Sequence, residues 1–315
     1  MKKLRIVFMG TPEFAVGILD AICKKGYDVA GVITAADKPA GRGQKMTVSA
    51  VKTYCIANNL TVLQPTNLKD DGFLQDLKAL QANLQVVVAF RMLPEAVWRM
   101  PKLGTFNLHA SLLPNYRGAA PINWAIVNGE SKTGVTTFFI DDKIDTGAMI
   151  LQSEVDIEPD ENAGSLHDKL QILGSKTVLE TLQKIESDTV FLTQQSDMQQ
   201  YKLAPKLSKE NCKIDFSKQG IEIQSHIRGL SPYPGAWCTF DDEKESYFVK
   251  IFSSSFKKEG HNLEIGSIIC SKKELQIAVQ DGYVVVLDLQ FPGKRRMKIF
   301  ELLNGMTFSN KLKAL

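Results

Sequence analysis

The chain has 315 residues, of which 44% are hydrophobic and 23% are charged, and its formal net charge is +3. This composition is typical of a globular protein and excludes a disordered or collagen-like chain, and the length favours two domains over one. The charge is uneven along the chain. From residue 206 onward there are 17 basic and 13 acidic side chains, whereas the preceding part carries 21 basic and 22 acidic ones. The last third therefore suits a polyanionic partner better than the rest.

Five cysteines are scattered along the chain without a CxxC pair or a paired histidine. This spacing argues against a structural zinc site or a disulfide framework, and it favours a reducing compartment. No apolar run approaches the roughly 18 residues of a membrane span, and the apolar run near the start is too short for a signal peptide. We therefore expect a cytoplasmic protein that binds neither a metal nor a membrane.

The first 187 residues alternate short apolar runs with amphipathic segments, which predicts a Rossmann-like, doubly wound and mostly parallel α/β sheet domain. Strands are predicted over 5–9, 28–34, 61–63, 84–90, 134–140 and 149–155, and helices over 13–25, 51–59, 70–81, 118–128 and 165–186. The run at 84–90 lacks polar alternation, as expected of a central strand that is buried on both faces. Ligands of such sheets bind beyond the carboxyl ends of the central strands. A segment without predicted elements, 35–45, reads as a loop.

Beyond residue 187 the pattern changes. Residues 188–205 are polar and rich in glutamine, which favours a linker, with a surface loop inside one domain as the alternative. A helix is predicted over 219–229, and short alternating runs follow at 236–240, 247–252, 265–271, 275–279 and 283–289. Five such runs predict that 206–315 forms a small, OB-like antiparallel β-barrel. Its basic run at 294–298 suits nucleic acid, and a solvated charged face is the alternative.

The segment from Gly104 to Pro121 carries the strongest sign of chemistry. In an extended strand Asn107 and His109 point to the same face. An amide can donate a hydrogen bond to a carbonyl that becomes tetrahedral, and an imidazole can supply charge or a proton beside it. A carboxylate that orients the imidazole is available in the loop 141–147, where Asp145 is favoured over the other two aspartates because a tight turn follows it. Each of these residues alone would more commonly be structural.

A nicotinamide-dependent dehydrogenase is disfavoured, although the chain begins with a strand, a turn and a helix. Gly10 is followed by Thr11 and Pro12, and the next glycine is Gly17, so the GxGxxG pattern is absent. A Walker loop, a GxSxG elbow and an HExxH motif are absent from the sequence as well.

The segments FNLHASLLPNYRGAAPINWAIVNGE and IDTGAMI resemble the folate-dependent formyltransferase family. Further segments are similar to the members of that family that act on initiator tRNA, namely GTPEFAV, DKPAGRGQK, KLSKEN, SPYPGAW and the PGK at 292–294. The resemblance runs in order from about residue 5 to about residue 305. It implies an enzyme that transfers a formyl group from 10-formyltetrahydrofolate to the α-amino group of methionine on initiator tRNA, for translation initiation and without a metal.

The resemblance also implies roles for individual residues. The catalytic Asn, His and Asp of the family fall on Asn107, His109 and Asp145. The segments implied to bind the folate contain Ser111, Leu112, Leu113 and Pro114, with Arg91, Met92 and Leu93. The residues expected to bind tRNA are Lys38, Arg42 and Lys45 in the loop, and Lys294, Arg295 and Arg296 in the basic run.

The sequence departs from the family pattern at two places. Residues 89–94 read AFRMLP where the family usually has AYGxxLP, and Lys143 stands where a glycine is common. The sequence therefore does not define the geometry of the segment 89–94 or of the Asp145 loop. The alternative function is formylation of a nucleotide-linked amino sugar, which uses the same three catalytic residue types, while a non-catalytic tRNA-binding protein would be expected to lack part of them. We expect the protein to be a monomer.

Overall fold

The computed structural model describes residues 2–40, 45–195, 201–243 and 245–315. The chain divides into two compact units. The first consists of Met1–Gly118, Thr133–Val155 and His167–Leu203, and the second of Ala119–Lys132, Asp156–Leu166 and Ala204–Leu315. No helix within the described ranges combines the length and the apolarity that a membrane span requires.

The described residues contain the following elements. The helices are α1 (Glu13–Lys24), α2 (Ala50–Ala57), α3 (Asp71–Ala79), α4 (Glu95–Trp98), α5 (Pro121–Val127), α6 (Ala163–Glu186), α7 (Gly220–Gly229) and α8 (Ile299–Leu303). The strands are β1 (Arg5–Gly10), β2 (Asp28–Ile33), β3 (Lys38–Ala40), β4 (Lys45–Thr47), β5 (Val62–Leu63), β6 (Leu84–Val88), β7 (Thr105–His109), β8 (Arg117–Gly118), β9 (Lys132–Phe139), β10 (Met149–Asp156), β11 (Leu203–Ala204), β12 (Ala236–Asp241), β13 (Ser246–Lys258), β14 (Ile268–Cys270), β15 (Leu275–Val279), β16 (Gly282–Gln290), β17 (Met297–Lys298) and β18 (Lys313–Ala314).

The first unit is built on a sheet with the strand order β10-β9-β7-β6-β1-β2-β5. The pairs β1–β2, β2–β5, β1–β6 and β6–β7 are parallel, and β9 runs antiparallel to β7. Every residue of β6 is buried, which confirms the prediction of a central strand covered on both faces. Gly10 ends β1, where a Cβ atom would lie 2.6 Å from the Cβ of Ala15, so only glycine lets α1 approach this closely.

The second unit is built on an antiparallel sheet with the strand order β14-β15-β16-β13-β12-β18, and β17 pairs with β16. A bridge between Ser267 and Lys313 joins the two ends of this order, so the sheet is a nearly closed barrel. Helix α7 contributes Ile223 and Ile227 to the buried cluster inside the barrel. The predicted fold class, a mostly parallel α/β domain followed by a small antiparallel barrel, is confirmed.

Three local predictions differ from the structure. Residues 35–45 were expected to be a loop, but β3 and β4 form a short antiparallel hairpin there. Helices α4 and α8 have four and five residues, too few for a helical period to be visible in the sequence. Strand β13 continues six residues past the predicted end at 252, since its backbone stays paired with β16 through a serine run that has no apolar alternation.

Candidate active site

Strand β7 presents Asn107 and His109 at the edge of the sheet where the parallel strands end. The strand lies between β6, which runs parallel to it, and β9, which runs antiparallel. Phe106 and Leu108 point into the core, whereas Asn107 is half-buried and His109 is buried. Because successive side chains of a strand point to opposite faces, the amide and the imidazole lie on one face of β7, as predicted.

The imidazole of His109 is held from two sides. Its Nε2 lies 2.8 Å from the carbonyl oxygen of Tyr116, and because a carbonyl can only accept, Nε2 carries a proton. Its Nδ1 lies 3.8 Å from Oδ2 of Asp145, too far for a hydrogen bond, and the carboxylate would attract the ring when the imidazole is protonated. The backbone N–H of Gly118 donates to the same Oδ2 at 3.0 Å. Nδ1 is thus the ring nitrogen that faces the Asp145 carboxylate.

The loop that carries Asp145 has its own internal contacts. Oδ1 of Asp141 accepts hydrogen bonds from the Lys143 backbone N–H at 3.1 Å and from the Thr146 hydroxyl at 2.8 Å. A Cβ atom on Gly147 would lie 1.7 Å from the carbonyl oxygen of Phe139, so the loop requires glycine there. Asp141 therefore stabilises the turn of this loop. The side chain of Lys143 is exposed.

The segment 111–114 is fixed by hydrogen bonds to a neighbouring strand. The hydroxyl of Thr136 in β9 donates to the carbonyl of Ser111 at 2.7 Å, and it accepts from the backbone N–H of Leu113 at 3.2 Å. Ser111 and Leu113 are buried, and Leu112 and Pro114 are half-buried. The side chains of Leu112 and Pro114 are therefore the ones that a ligand could contact.

The segment after β6 runs beside the end of β7, because Val88 is in register with Leu108. In this segment the guanidinium of Arg91 donates to the backbone carbonyls of residues 65 and 66, at 2.8 Å in the case of residue 66. Met92 is 69% exposed, and Leu93 is buried in the core. Arg91 thus fixes the segment 91–93 to residues 65 and 66, and Met92 is the exposed apolar side chain of this segment.

The residues expected to contact RNA in the hairpin are only partly described. Lys38 is exposed in β3. Arg42 lies outside the described residues, and of Lys45 the backbone in β4 is described but the side chain is not. At the base of the hairpin Lys52 donates to Asp37 at 2.5 Å, and this hydrogen bond lowers the pKa of the Asp37 carboxyl below its usual value.

The basic run of the second unit is largely paired with acidic side chains. Arg295 contacts Glu301 at 2.8 Å, and Arg296 donates two hydrogen bonds to one oxygen of the buried Asp288, at 2.9 and 2.6 Å. Lys294 is exposed, and it has no ion-pair partner within the part of the chain that is described. Of these three cations, Lys294 is the one whose charge is free for a partner.

A second cluster of basic and aromatic side chains lies on the barrel. The rings of Trp237 and Phe248 are stacked with their centroids 4.8 Å apart, and Phe248 is 41% exposed. The ammonium of Lys209 lies 5.4 Å from the Trp237 ring centre, and that of Lys213 lies 5.8 Å from it. Lysines that lie beside aromatic rings are typical of protein surfaces that bind nucleic acid. Lys209 lies in KLSKEN and Trp237 in SPYPGAW, but neither Lys209 nor Lys213 was singled out from the sequence.

Two family models match the chain. One is described as "Formyl transferase" and matches residues 4–182, and the other is described as "Formyl transferase, C-terminal domain" and matches residues 206–307. The chain belongs to the formyl transferase family. The resemblance seen in the sequence is thereby confirmed.

Relatives in this family extend over nearly the whole chain. The methionyl-tRNA formyltransferase of Flavobacterium johnsoniae is 67% identical over 313 residues, covering 99% of both chains. The methionyl-tRNA formyltransferase of Bacteroides thetaiotaomicron is 53% identical over 320 residues, again covering 99% of both.

Solved structures with a similar fold are more distant in sequence. WlaRD is a sugar 3N-formyl transferase whose structure was determined in the presence of dTDP and 5-N-formyl-THF. It is 22% identical with a TM-score of 0.63, covering 94% of this chain and 100% of WlaRD. HypX from Aquifex aeolicus in complex with tetrahydrofolic acid is 16% identical with a TM-score of 0.63, covering 96% of this chain and 47% of HypX. At these identities the likeness concerns the fold alone.

Several residues around the candidate active site were not singled out from the sequence. Tyr116 and Gly118 act through backbone atoms, and Thr136 acts through a buried hydroxyl. Arg117 donates to Gln195, and Gln195 donates to the backbone of the Asp145 loop. Contacts through backbone atoms leave no mark on residue type, and the side-chain contacts join residues far apart in sequence, so these roles follow only from the folded arrangement.

Proposed function

We propose that this protein formylates methionyl-tRNA: it transfers the formyl group of 10-formyltetrahydrofolate to the free α-amino group of methionine on initiator tRNA, which gives formylmethionyl-tRNA for translation initiation. The observation that carries the proposal is the 67% identity to a methionyl-tRNA formyltransferase along 99% of both chains. The reaction is a one-carbon transfer in which a C–N bond forms at the amine and the C–N bond to the folate breaks.

In this proposal Asn107, His109 and Asp145 are the catalytic residues. The side-chain amide of Asn107 donates to the carbonyl oxygen that becomes negative, and the protonated His109 stabilises the same charge. Asp145, with its Oδ2 3.8 Å from Nδ1, stabilises the imidazolium. The site is on the shielded side of the strand, because His109 is only 6% exposed, and shielding strengthens each of these interactions.

The folate is proposed to bind between the segments 111–114 and 91–93, and when bound it supplies the activated formyl group. A pterin is flat and needs apolar contacts together with a few fixed hydrogen-bonding groups. The half-buried Leu112 and Pro114 and the exposed Met92 offer the apolar contacts. Ser111, Leu113 and Leu93 keep the two segments in place from the core side, and Arg91 anchors the second segment. The described residues thus offer the apolar contacts that such a ligand needs.

For the tRNA we propose two contact regions. The first is the hairpin with Lys38, Arg42 and Lys45, where a guanidinium between two glycines can approach phosphates and base edges. The second is the barrel, where Lys294 carries a free charge and Lys209 and Lys213 surround two aromatic rings. Arg295 and Arg296 belong to the same basic run but already have acidic partners.

In terms of domains, we propose residues 1–187 as the catalytic domain, 188–205 as a linker and 206–315 as the tRNA-binding domain. The matches of the family models to 4–182 and 206–307 support this division. We also propose that the protein is a cytoplasmic monomer that uses no metal.

A parallel assay tests the function. The purified protein is supplied with 10-formyltetrahydrofolate and either methionyl-initiator tRNA or a nucleotide-linked amino sugar, the acceptor of the alternative function. We expect formylation of the tRNA-bound methionine and none of the sugar. Formylation of the sugar alone would overturn the proposal in favour of an amino-sugar formyltransferase.

A further inference from the structure

The side chain of Gln195 makes four hydrogen bonds beside the candidate active site. Its Nε2 donates to the backbone carbonyls of Asp145 and Gly147, both at 2.9 Å. Its Oε1 accepts from Nε and Nη2 of Arg117 at 3.1 and 2.5 Å. The guanidinium of Arg117 is held from another side by the ring of Tyr201, whose centroid is 4.7 Å away. The four hydrogen bonds use both hydrogens and the oxygen of the half-buried Gln195 amide.

These contacts close a ring of hydrogen bonds that contains Asp145 and adjoins His109. Arg117 lies between Tyr116, whose carbonyl oxygen is 2.8 Å from Nε2 of His109, and Gly118, whose N–H is 3.0 Å from Oδ2 of Asp145. The segment 116–118 therefore sets the position of the imidazole on one side and of the carboxylate on the other. The same glutamine ties this segment, through Arg117, to the backbone of the Asp145 loop.

Two features indicate that the position of the Asp145 carboxylate depends on contacts from outside its loop. First, Asp145 has φ = +56°, a left-handed conformation that residues other than glycine adopt only rarely. Second, its Oδ2 is 3.8 Å from Nδ1 of His109, beyond hydrogen-bonding distance, so no direct bond fixes the pair. The amide of Gln195 donates to the carbonyls of Asp145 itself and of Gly147, on which the loop conformation depends.

We propose that Gln195 is a positioning residue of the active site, which holds the Asp145 loop and the segment 116–118 in register so that the carboxylate stays opposite His109. It touches neither substrate, and it acts through Asp145 and Arg117. For its kinetic consequence this inference rests on the proposed function. Its structural consequence, the integrity of the hydrogen bond from the Gly118 N–H to Asp145, does not.

The test compares three variants. Gln195→Met keeps the length of the side chain and removes all four hydrogen bonds, and Gln195→Glu keeps the acceptor for Arg117 but removes both donors. Gln194→Met is the matched control, because Gln194 is the exposed neighbour of the same type. With methionyl-initiator tRNA and 10-formyltetrahydrofolate we expect kcat to fall about 10- to 100-fold in both Gln195 variants, the range that follows from displacing a catalytic group by about 1 Å. The KM values for both substrates should stay unchanged, and Gln194→Met should match the wild type.

Amide hydrogen exchange of Gly118, measured without substrates, gives a readout that does not depend on the reaction. We expect faster exchange in both Gln195 variants and unchanged exchange in Gln194→Met. If Gln195→Met does not fold, the nearly isosteric Gln195→Glu still tests the loss of the two hydrogen bonds to the Asp145 loop. Wild-type kcat, an increase in KM alone, or unchanged Gly118 exchange in a folded Gln195 variant would overturn the inference. If the wild-type protein does not formylate methionyl-tRNA, the proposed function fails while the exchange experiment still decides the role of Gln195.

Discussion

At the residue scale, the cations that look equivalent in the sequence differ in what they contact. Arg296 donates twice to the buried Asp288, and its guanidinium also lies 4.6 Å from the centre of the Phe252 ring. Lys294, two positions earlier, is exposed and unpaired among the residues described. A run of like charges in a sequence therefore mixes side chains that stabilise the barrel with side chains that can bind a partner.

This difference predicts opposite phenotypes for Lys294→Ala and Arg296→Ala. Lys294→Ala should weaken tRNA binding and reduce the salt dependence of the affinity by roughly one unit of slope, without changing the melting temperature. Arg296→Ala should cost about 1–3 kcal/mol of stability, because the carboxylate of Asp288 loses its hydrogen bonds. Binding titrations at several salt concentrations and thermal unfolding measure the two effects. A fully stable Arg296→Ala with weakened tRNA binding would contradict this assignment.

At the element scale, the Asp145 loop is shaped by close packing against β9 as well as by hydrogen bonds. A Cβ on Gly147 would lie 1.7 Å from the Phe139 carbonyl oxygen, a distance that no side-chain movement can relieve because the obstacle is backbone. The loop position thus depends on Gly147, which has no side chain. The position of the Asp145 carboxylate depends on it as well.

Gly147→Ala should therefore displace the loop and reduce formylation as severely as removal of Asp145 itself. Gly260→Ala is the control, since a Cβ at Gly260 would meet nothing within 4 Å. Thermal unfolding and kcat of both variants provide the measurement. We expect a loss of activity and a lower melting temperature for Gly147→Ala and wild-type behaviour for Gly260→Ala. Equal activity in the two variants would mean that the loop position is not critical.

The elements differ in how well the sequence predicts them. Continuous apolar runs such as β1 and β6 were predicted, since burial on both faces requires them. The hairpin β3–β4 was missed because its strands are only three residues long, too short for an alternating pattern to be visible in the sequence. Gln195 lies in a polar stretch predicted to be a linker, and its partners are 50 and 78 residues away in sequence. No local pattern encodes such a contact.

At the scale of the whole molecule, a net charge of +3 is small, and the excess of basic over acidic side chains falls in the part after residue 205. Binding of tRNA should then depend on a few local cations, and not on the overall charge of the protein. For single-stranded or helical RNA the logarithm of the affinity falls linearly with the logarithm of the salt concentration, with a slope set by the number of phosphates neutralised.

We therefore expect tRNA affinity to decrease between low and physiological salt, with a slope corresponding to a few phosphates. The KM for 10-formyltetrahydrofolate should change less, because its proposed binding segments 91–93 and 111–114 are mostly apolar. Equilibrium binding at four or five salt concentrations gives the slope. An affinity that stays constant over this range would contradict the assignment of basic surfaces to the tRNA.

In the proposed reaction the amide of Asn107, beside His109 and Asp145, stabilises the oxyanion of formyl transfer. The single-turnover rate of Asn107→Ala with methionyl-initiator tRNA tests this role, with circular dichroism and thermal unfolding as the check on folding. Loss of one oxyanion donor typically lowers a rate on the order of 10²–10³-fold. We predict a loss of this size in a protein whose fold and melting temperature are unchanged. A folded Asn107→Ala that turns over at nearly the wild-type rate would contradict the account.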